Sequence, residues 1–276
     1  MEKLYLELLK KSLLGELYFE NEVRLLYLRA CLEGRESYDP GTLLRITAER
    51  HAFCERWREQ NRDGRFIDDR VENLGFLHTM IGRARLENIA HCLESILRDN
   101  VPGDLIECGV WRGGATVFMR GFLKAHDIGD RTVWVADSFA GLPPPSLPQD
   151  EGNDLSAARF PMLAIPLETV RDLFARYGLL DENVRFLPGW FKDTLLRAPI
   201  ERLALLRLDG DLYESTWDSL SALYPKLSPG GYVVVDDFHC IPACRQAVED
   251  YRRREKIDEP IARIDWTGVF WQKAFE

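Results

Sequence analysis

Two apolar runs that end on carboxylates limit the fold more than any other feature. "LALLRL", Leu203 to Leu208, is broken only by Arg207 and stops at Asp209-Gly210-Asp211; "GGYVVV" stops at Asp236-Asp237. Neither run alternates apolar with polar residues. A strand without alternation is buried on both faces, the condition of a parallel sheet covered by helices on each side. The stretch from residue 101 onward keeps that pattern. "DLIECGV", "RTVWVAD" and "NVRFLPG" read as further strands, and "TVFMRGFLKAH", "LETVRDLFARYGL", "ESTWDSLSALYPKL" and "PACRQAVEDYRRREK" as the helices among them. The last stretch, "IARIDWTGVFWQK", reads as two short strands with no helix between, hence a hairpin at one sheet edge. The spacing predicts an α/β fold with a mostly parallel seven-stranded sheet and a C-terminal antiparallel hairpin.

Residues 1–100 have a different texture. Leu4, Leu8, Leu9, Leu13, Leu14 and Leu17 recur at helical spacing, "QNRDGRFIDDR" reads as a loop, and "LGFLHTMIGRARLENIAHCLESILRDN" reads as a helix reaching Asn100, stopped by Pro102-Gly103. This predicts an N-terminal helical extension, residues 1–100, before a sheet domain, residues 101–276. The extension carries more apolar surface than one sheet domain needs, which predicts a homo-oligomer, a dimer. The proline-rich, acidic loop of residues 142–160 is too long for an ordinary connection. Its "SAARFP" could pack on closing, so it reads as a lid, with Asp150, Glu151 and Asp154 in solvent.

The net charge of −9 and the lack of a basic tract argue against a nucleic-acid or membrane-surface binder. No secretory signal is visible, and no apolar run approaches the ~18 residues of a membrane span. The six cysteines form no CxxC pair and read as free thiols in a reducing cytoplasm. His239, Cys240 and Cys244 lack a fourth ligand for zinc.

In such sheets ligands bind beyond the carboxyl ends of the strands. Those ends are Glu107, Asp137, Gly189, Asp209 and Asp236-Asp237. "ECGVWRGGATVF" has the pattern Glu107-x-Gly109-x-x-x-Gly113, with an acid where a dinucleotide fingerprint has its first glycine. That acid would repel a pyrophosphate and attract a cation. Asp137, at the next strand end, suits two ribose hydroxyls. A ligand with an ammonium, a sulfonium and a ribose, but no phosphate, is S-adenosylmethionine. The same residues also fit a tight turn in a purely structural protein, with the acids merely solvated.

Asp209 and Asp236 end strands that should be neighbours, about 4.8 Å apart. Carboxylates there can meet on one ion, and an all-oxygen set suits magnesium or calcium better than zinc. Asp211, two residues beyond Asp209, can enter the same pocket as a proton acceptor. His78 and His239 are rivals for that role.

"TMIGRARLENIAHCL", "IECGVWRGGATVFMRG", "ADSFAGLP", "GWFKDTL", "RLDGDLYEST" and "VVVDDF" together resemble the macrocin O-methyltransferase (TylF/MycF/NovP) family over residues 70–275. The resemblance implies a Rossmann-like class I methyltransferase fold and transfer of a methyl group from S-adenosylmethionine to a sugar hydroxyl of an antibiotic-type glycoside. It implies that Thr79 and Met80 lie on a helix capping the donor. Glu107, Gly109, Arg112 and Gly113 would form the methionine-binding loop, Asp137 and Ser138 the ribose site, and Gly189 and Trp190 the adenine end, with Asp209 also at the donor. It further implies magnesium on Asp209, Asp236 and Asp237, with Asp211 as base. A catechol-type diol is an alternative acceptor. An NAD-linked oxidoreductase is disfavoured by the missing GxGxxG and Tyr-x-x-x-Lys, and a non-catalytic scaffold by the retained acids.

Overall fold

The computed structural model describes residues 1–48 and 77–275, and the loop expected over residues 60–70 lies outside them. Helices α1 (Glu2–Leu13), α2 (Phe19–Leu32) and α3 (Pro40–Ala48) come first, and α4 (Arg83–Arg98) leads into the sheet. There follow β1 (Asp104–Cys108), α5 (Gly114–Ala125), β2 (Val133–Asp137), α6 (Leu167–Arg176) and β3 (Val184–Pro188). The rest is the one-turn α7 (Phe191–Thr194), β4 (Leu203–Leu208), α8 (Tyr213–Leu223), β5 (Leu227–Val235), α9 (Pro242–Glu255), β6 (Ala262–Arg263) and β7 (Val269–Gln272).

The seven strands form one sheet in the order β3-β2-β1-β4-β5-β7-β6. β1 to β5 run parallel; β7 pairs antiparallel with β5, and β6 with β7, so the edge hairpin is present. The unalternating strands have a direct cause. Leu105, Val133, Val135, Leu205 and Val234 enter one apolar cluster with α1, α4, α5 and α6. Their neighbours Ile106, Trp134, Leu206, Val233 and Val235 enter another with α8 and α9. Successive side chains point to opposite faces, and both faces are buried. The strand order reverses between β1 and β4, which opens a crevice beyond their carboxyl ends. Among the described residues no helix is long and apolar enough to cross a membrane.

Two expectations fail here. α4 begins at Arg83, so Thr79 and Met80 lie in a non-helical segment before it rather than on the helix. Gly82, in extended conformation, starts the helix. A Cβ on Gly114 would sit 2.2 Å from the His78 carbonyl oxygen, so the start of α5 packs closely on the backbone of this segment. Leu77 and Ile81 are both buried and four residues apart, the spacing that mimics a helix. Secondly, Asp150 is not in solvent but 0% exposed. Its carboxylate accepts hydrogen bonds from the backbone N–H groups of Tyr213 (2.6 Å) and Glu214 (3.2 Å), at the N-terminus of α8.

Candidate active site

The neighbouring ends of β4 and β5 bring three carboxylates together. The Asp209 N–H bonds to the Cys108 carbonyl of β1 (2.8 Å), and the Asp236 N–H to the Leu208 carbonyl of β4 (2.9 Å). One oxygen each of Asp209, Asp236 and Asp237 lies within 4.8 Å of the others. Beneath them lies Arg207, the charged residue inside an apolar strand, fully buried. Its guanidinium donates to Glu107 on adjacent β1, to Asp209 Oδ2 (2.8 Å) and to Asp236 Oδ1. Arg85 of α4 donates to Asp236 Oδ2 and to Asp265 Oδ2 (2.8 Å).

These two cations face six carboxylates: Glu107, Asp209, Asp211, Asp236, Asp237 and Asp265. The imbalance has consequences. Burial, then the nearby acids, pushes the Asp237 carboxyl well above the usual range, and Asp211 moves the same way for the same reasons. Burial also raises Glu107, against the pull of Arg207. Asp237 Oδ2 is buried with no hydrogen-bond partner. An excess of buried negative charge, an orphaned carboxylate oxygen and an all-oxygen donor set fit a hard divalent cation.

The turn after β4 is unusual in one detail. A glycine stands between the two acids, but the left-handed residue is Asp211 itself, at φ 58°. Asp and Asn tolerate this region better than other side-chain-bearing residues. The conformation sends the chain into α8 directly after Asp211.

At the ends of β1 and β2, the Asp137 carboxylate accepts the backbone N–H groups of Val110 (2.8 Å) and Phe139 (2.7 Å), which ties the loop after β1 to the loop after β2. Burial raises its pKa despite these bonds. Gly109 adopts φ 88°, and a Cβ there would lie 1.8 Å from the Asp209 carbonyl oxygen. The close neighbour of this glycine is therefore the β4 backbone. Arg112 stacks on Trp111 and donates to the Leu77 carbonyl (2.8 Å), fastening the segment before α4.

A cavity of about 330 Å³ joins the two sides. Met80, Gly109, Asp137, Ser138, Gly189 and Trp190 line it with Asp209 and Asp211. Thr79, Glu107, Arg112, Gly113, Asp236 and Asp237 do not line it. Thr79, Glu107, Asp236 and Asp237 are buried behind it, and Gly113 caps α5 in left-handed conformation. The two histidines considered as bases are elsewhere: His78 Nδ1 is 2.8 Å from the Tyr177 hydroxyl, and His239 is exposed beside Phe238; neither lines the cavity.

Sequence reasoning did not single out several residues of the site. Arg207 and Arg85 were readable only as charges in apolar segments. Trp111 lines the cavity and donates its indole N–H to the Met162 carbonyl (2.9 Å). Leu142, Pro143 and Ser146 of the long loop also line it, and the Ser146 hydroxyl donates to Glu214 Oε2 (2.6 Å).

Comparison with known proteins agrees with this architecture. The family model described as macrocin-O-methyltransferase (TylF) matches residues 2–273. The chain is similar to demethyldecarbamoylnovobiocin O-methyltransferase of Streptomyces niveus, at 53% identity over 84% of this chain and 89% of that protein. It is similar to mycinamicin III 3''-O-methyltransferase of Micromonospora griseorubida, at 52% identity over 81% of this chain and 85% of that one. Among solved structures it resembles the O-methyltransferase NovP, at 57% identity and a TM-score of 0.70, over 72% of this chain and 83% of that one.

Proposed function

Because the chain belongs to the macrocin O-methyltransferase family and is an O-methyltransferase, we propose that it moves a methyl group from S-adenosylmethionine to a sugar hydroxyl of a glycosylated natural product, in antibiotic biosynthesis. The observation that carries this is a cavity lined by Gly109 and Asp137 together with Asp209 and Asp211. One side offers a ribose-binding acid and a close backbone. The other offers a carboxylate for the acceptor's proton.

The residue roles follow from position. Asp137 retains lone pairs for ribose hydroxyls while it holds Val110 and Phe139. Gly189 and Trp190 border the adenine end. Glu107, with Oε2 buried and unpartnered, attracts the donor's ammonium from behind the loop. Asp211 accepts the acceptor hydroxyl's proton while the oxygen–methyl bond forms and the methyl–sulfur bond breaks, its electron pair staying on sulfur. A base is most useful when its pKa lies near the working pH, and burial and like charges move Asp211 in that direction. Asp209, Asp236 and Asp237 would hold magnesium, which when bound orients vicinal hydroxyls and acidifies the one to be methylated.

The relatives' names place their substrates among glycosylated antibiotics, and their shared family brings that class to this chain. The test is mass spectrometry of aminocoumarin and macrolide glycosides, with catechols alongside, after incubation with enzyme, S-adenosylmethionine and magnesium, with and without EDTA. A mass gain of one methyl on a sugar, lost with EDTA, is the expected result. Methylation of catechols alone overturns the sugar assignment, and full activity in EDTA overturns the metal. We place the enzyme in the cytoplasm, where its free cysteines stay as thiols. We also propose a homodimer, because α1 leaves Leu4 70% and Leu8 53% exposed; a monomeric mass by light scattering refutes it.

A further inference from the structure

Arg207 stands between the two halves of the site. Its guanidinium holds Glu107, the acid behind the donor loop, with the same fork that holds Asp209 and Asp236. Both oxygens of Asp236 are engaged by guanidinium groups, Oδ1 by Arg207 and Oδ2 by Arg85. A cation that binds Asp209 and Asp236 must therefore share or displace the hold of Arg207. The side chain is fully buried and has no water to retreat into. What it loses at the β4–β5 end it can regain at Glu107, whose Oε2 is buried without a partner.

We propose that Arg207 is a positioning residue that makes donor binding at the Glu107 end and divalent-cation binding at the Asp209–Asp236–Asp237 end mutually antagonistic. This rests on the proposed donor and metal sites. With a cation on Asp209 and Asp236, electrostatic repulsion drives Arg207 onto Glu107 and reduces that acid's attraction for an ammonium. With an ammonium drawing on Glu107, Arg207 leans on Asp209 and Asp236 and opposes the cation. The effect is reciprocal, because a coupling free energy is a property of the pair of sites. Its consequence for turnover is directional: a loaded cation loosens the grip on the amino-acid end, which favours release of the spent donor.

The test is titration calorimetry of the native protein with S-adenosylhomocysteine, in saturating magnesium chloride and in EDTA. S-adenosylhomocysteine keeps the ammonium and lacks the sulfonium charge, so direct repulsion between methyl donor and metal is removed. The expected result is a Kd about fivefold or more weaker with magnesium, within the usual range of coupling between sites. The reverse titration, magnesium chloride into protein with and without S-adenosylhomocysteine, should give the same factor. In Arg207→Lys, a compact ammonium replaces the two-nitrogen fork that spans Glu107 and Asp236, and the factor should fall below about twofold while each ligand still binds alone. Equal Kd values in the native protein overturn the proposal, whether or not the variant folds. So does an undiminished factor in Arg207→Lys. Absence of any magnesium binding overturns both this proposal and the metal assignment, whereas independent binding of both ligands leaves the metal assignment standing.

Discussion

Asp150→Ala should detach the long loop from the sheet domain, at a cost the structure allows to be sized. The residue at the N-cap of α8 is Leu212, which has no side-chain acceptor. Asp150 supplies the cap from 63 residues upstream of Tyr213, bonding the N–H groups of Tyr213 and Glu214 from a fully buried position. Loss of an N-cap costs about 0.5–2 kcal/mol. Loss of buried negative charge at a helix N-terminus adds up to about 2 kcal/mol. The alanine variant should therefore lose about 0.5–4 kcal/mol. At about 2–4 °C per kcal/mol for a chain of this size, its Tm should fall by roughly 1–16 °C. Asp150→Asn keeps one carbonyl acceptor and should lose about 1 kcal/mol, mostly the charge contribution. Calorimetric melting of both variants measures this, and limited proteolysis reports on the loop. Cleavage within residues 142–160 should accelerate in Asp150→Ala, and the KM for donor or acceptor should rise because Leu142, Pro143 and Ser146 line the cavity. An alanine variant melting within 1 °C of native, with the loop still protected, would refute the cap.

Three further expectations concern the site and its surroundings. Asp211→Asn should retain donor binding by calorimetry while kcat falls by ~10²- to 10⁴-fold, the usual contribution of a general base; unchanged turnover puts the base elsewhere. Asp137→Ala should weaken S-adenosylhomocysteine binding about ten- to a hundredfold, since it removes charge-assisted hydrogen bonds and frees the loop after β1; an unaltered Kd removes Asp137 from the donor site. His78 is held below its ordinary pKa of 6.5 by burial, then by Arg176 and Arg112. A folded state that favours the neutral ring gains stability present above that pH and lost as pH falls through it. Native protein should thus lose more Tm between about pH 7.5 and pH 5.5 than His78→Gln, and equal losses would exclude this contribution.

Much of the architecture was legible because burial on both faces leaves a direct trace. "LALLRL" and "GGYVVV" contain no alternation, and their carboxyl ends had to be adjacent once the sheet was parallel. Asp137, Asp209 and Asp211 were visible as acids at those ends, where this fold places ligands. Other features were hidden for physical reasons. Leu77 and Ile81 are spaced as in a helix, yet the segment is a run of bends whose backbone at His78 packs against the start of α5. Asp150 looked like any acid in a polar loop, because its partners, two amides at the start of α8, are set by tertiary contact alone. Arg207 appeared as a blemish in an apolar run. Its meaning depends on Glu107 being its cross-strand neighbour, and register cannot be read from one strand. The acids at the strand ends suggested a shared ion, whereas two buried arginines already balance part of their charge.

The contact between Gly109 and the Asp209 carbonyl limits how such enzymes can be recombined. The loop after β1 and the turn after β4 touch backbone to backbone, with no side chain between them to absorb a misfit. A chimera that imports residues 107–113 from a distant methyltransferase must import residues 207–211 with them, or the two turns will collide or part. Acceptor range can be altered more safely through lining residues away from this contact, such as Leu142, Ser146 and Glu214. The loop of residues 142–160 is then the segment to diversify, with Asp150 left in place.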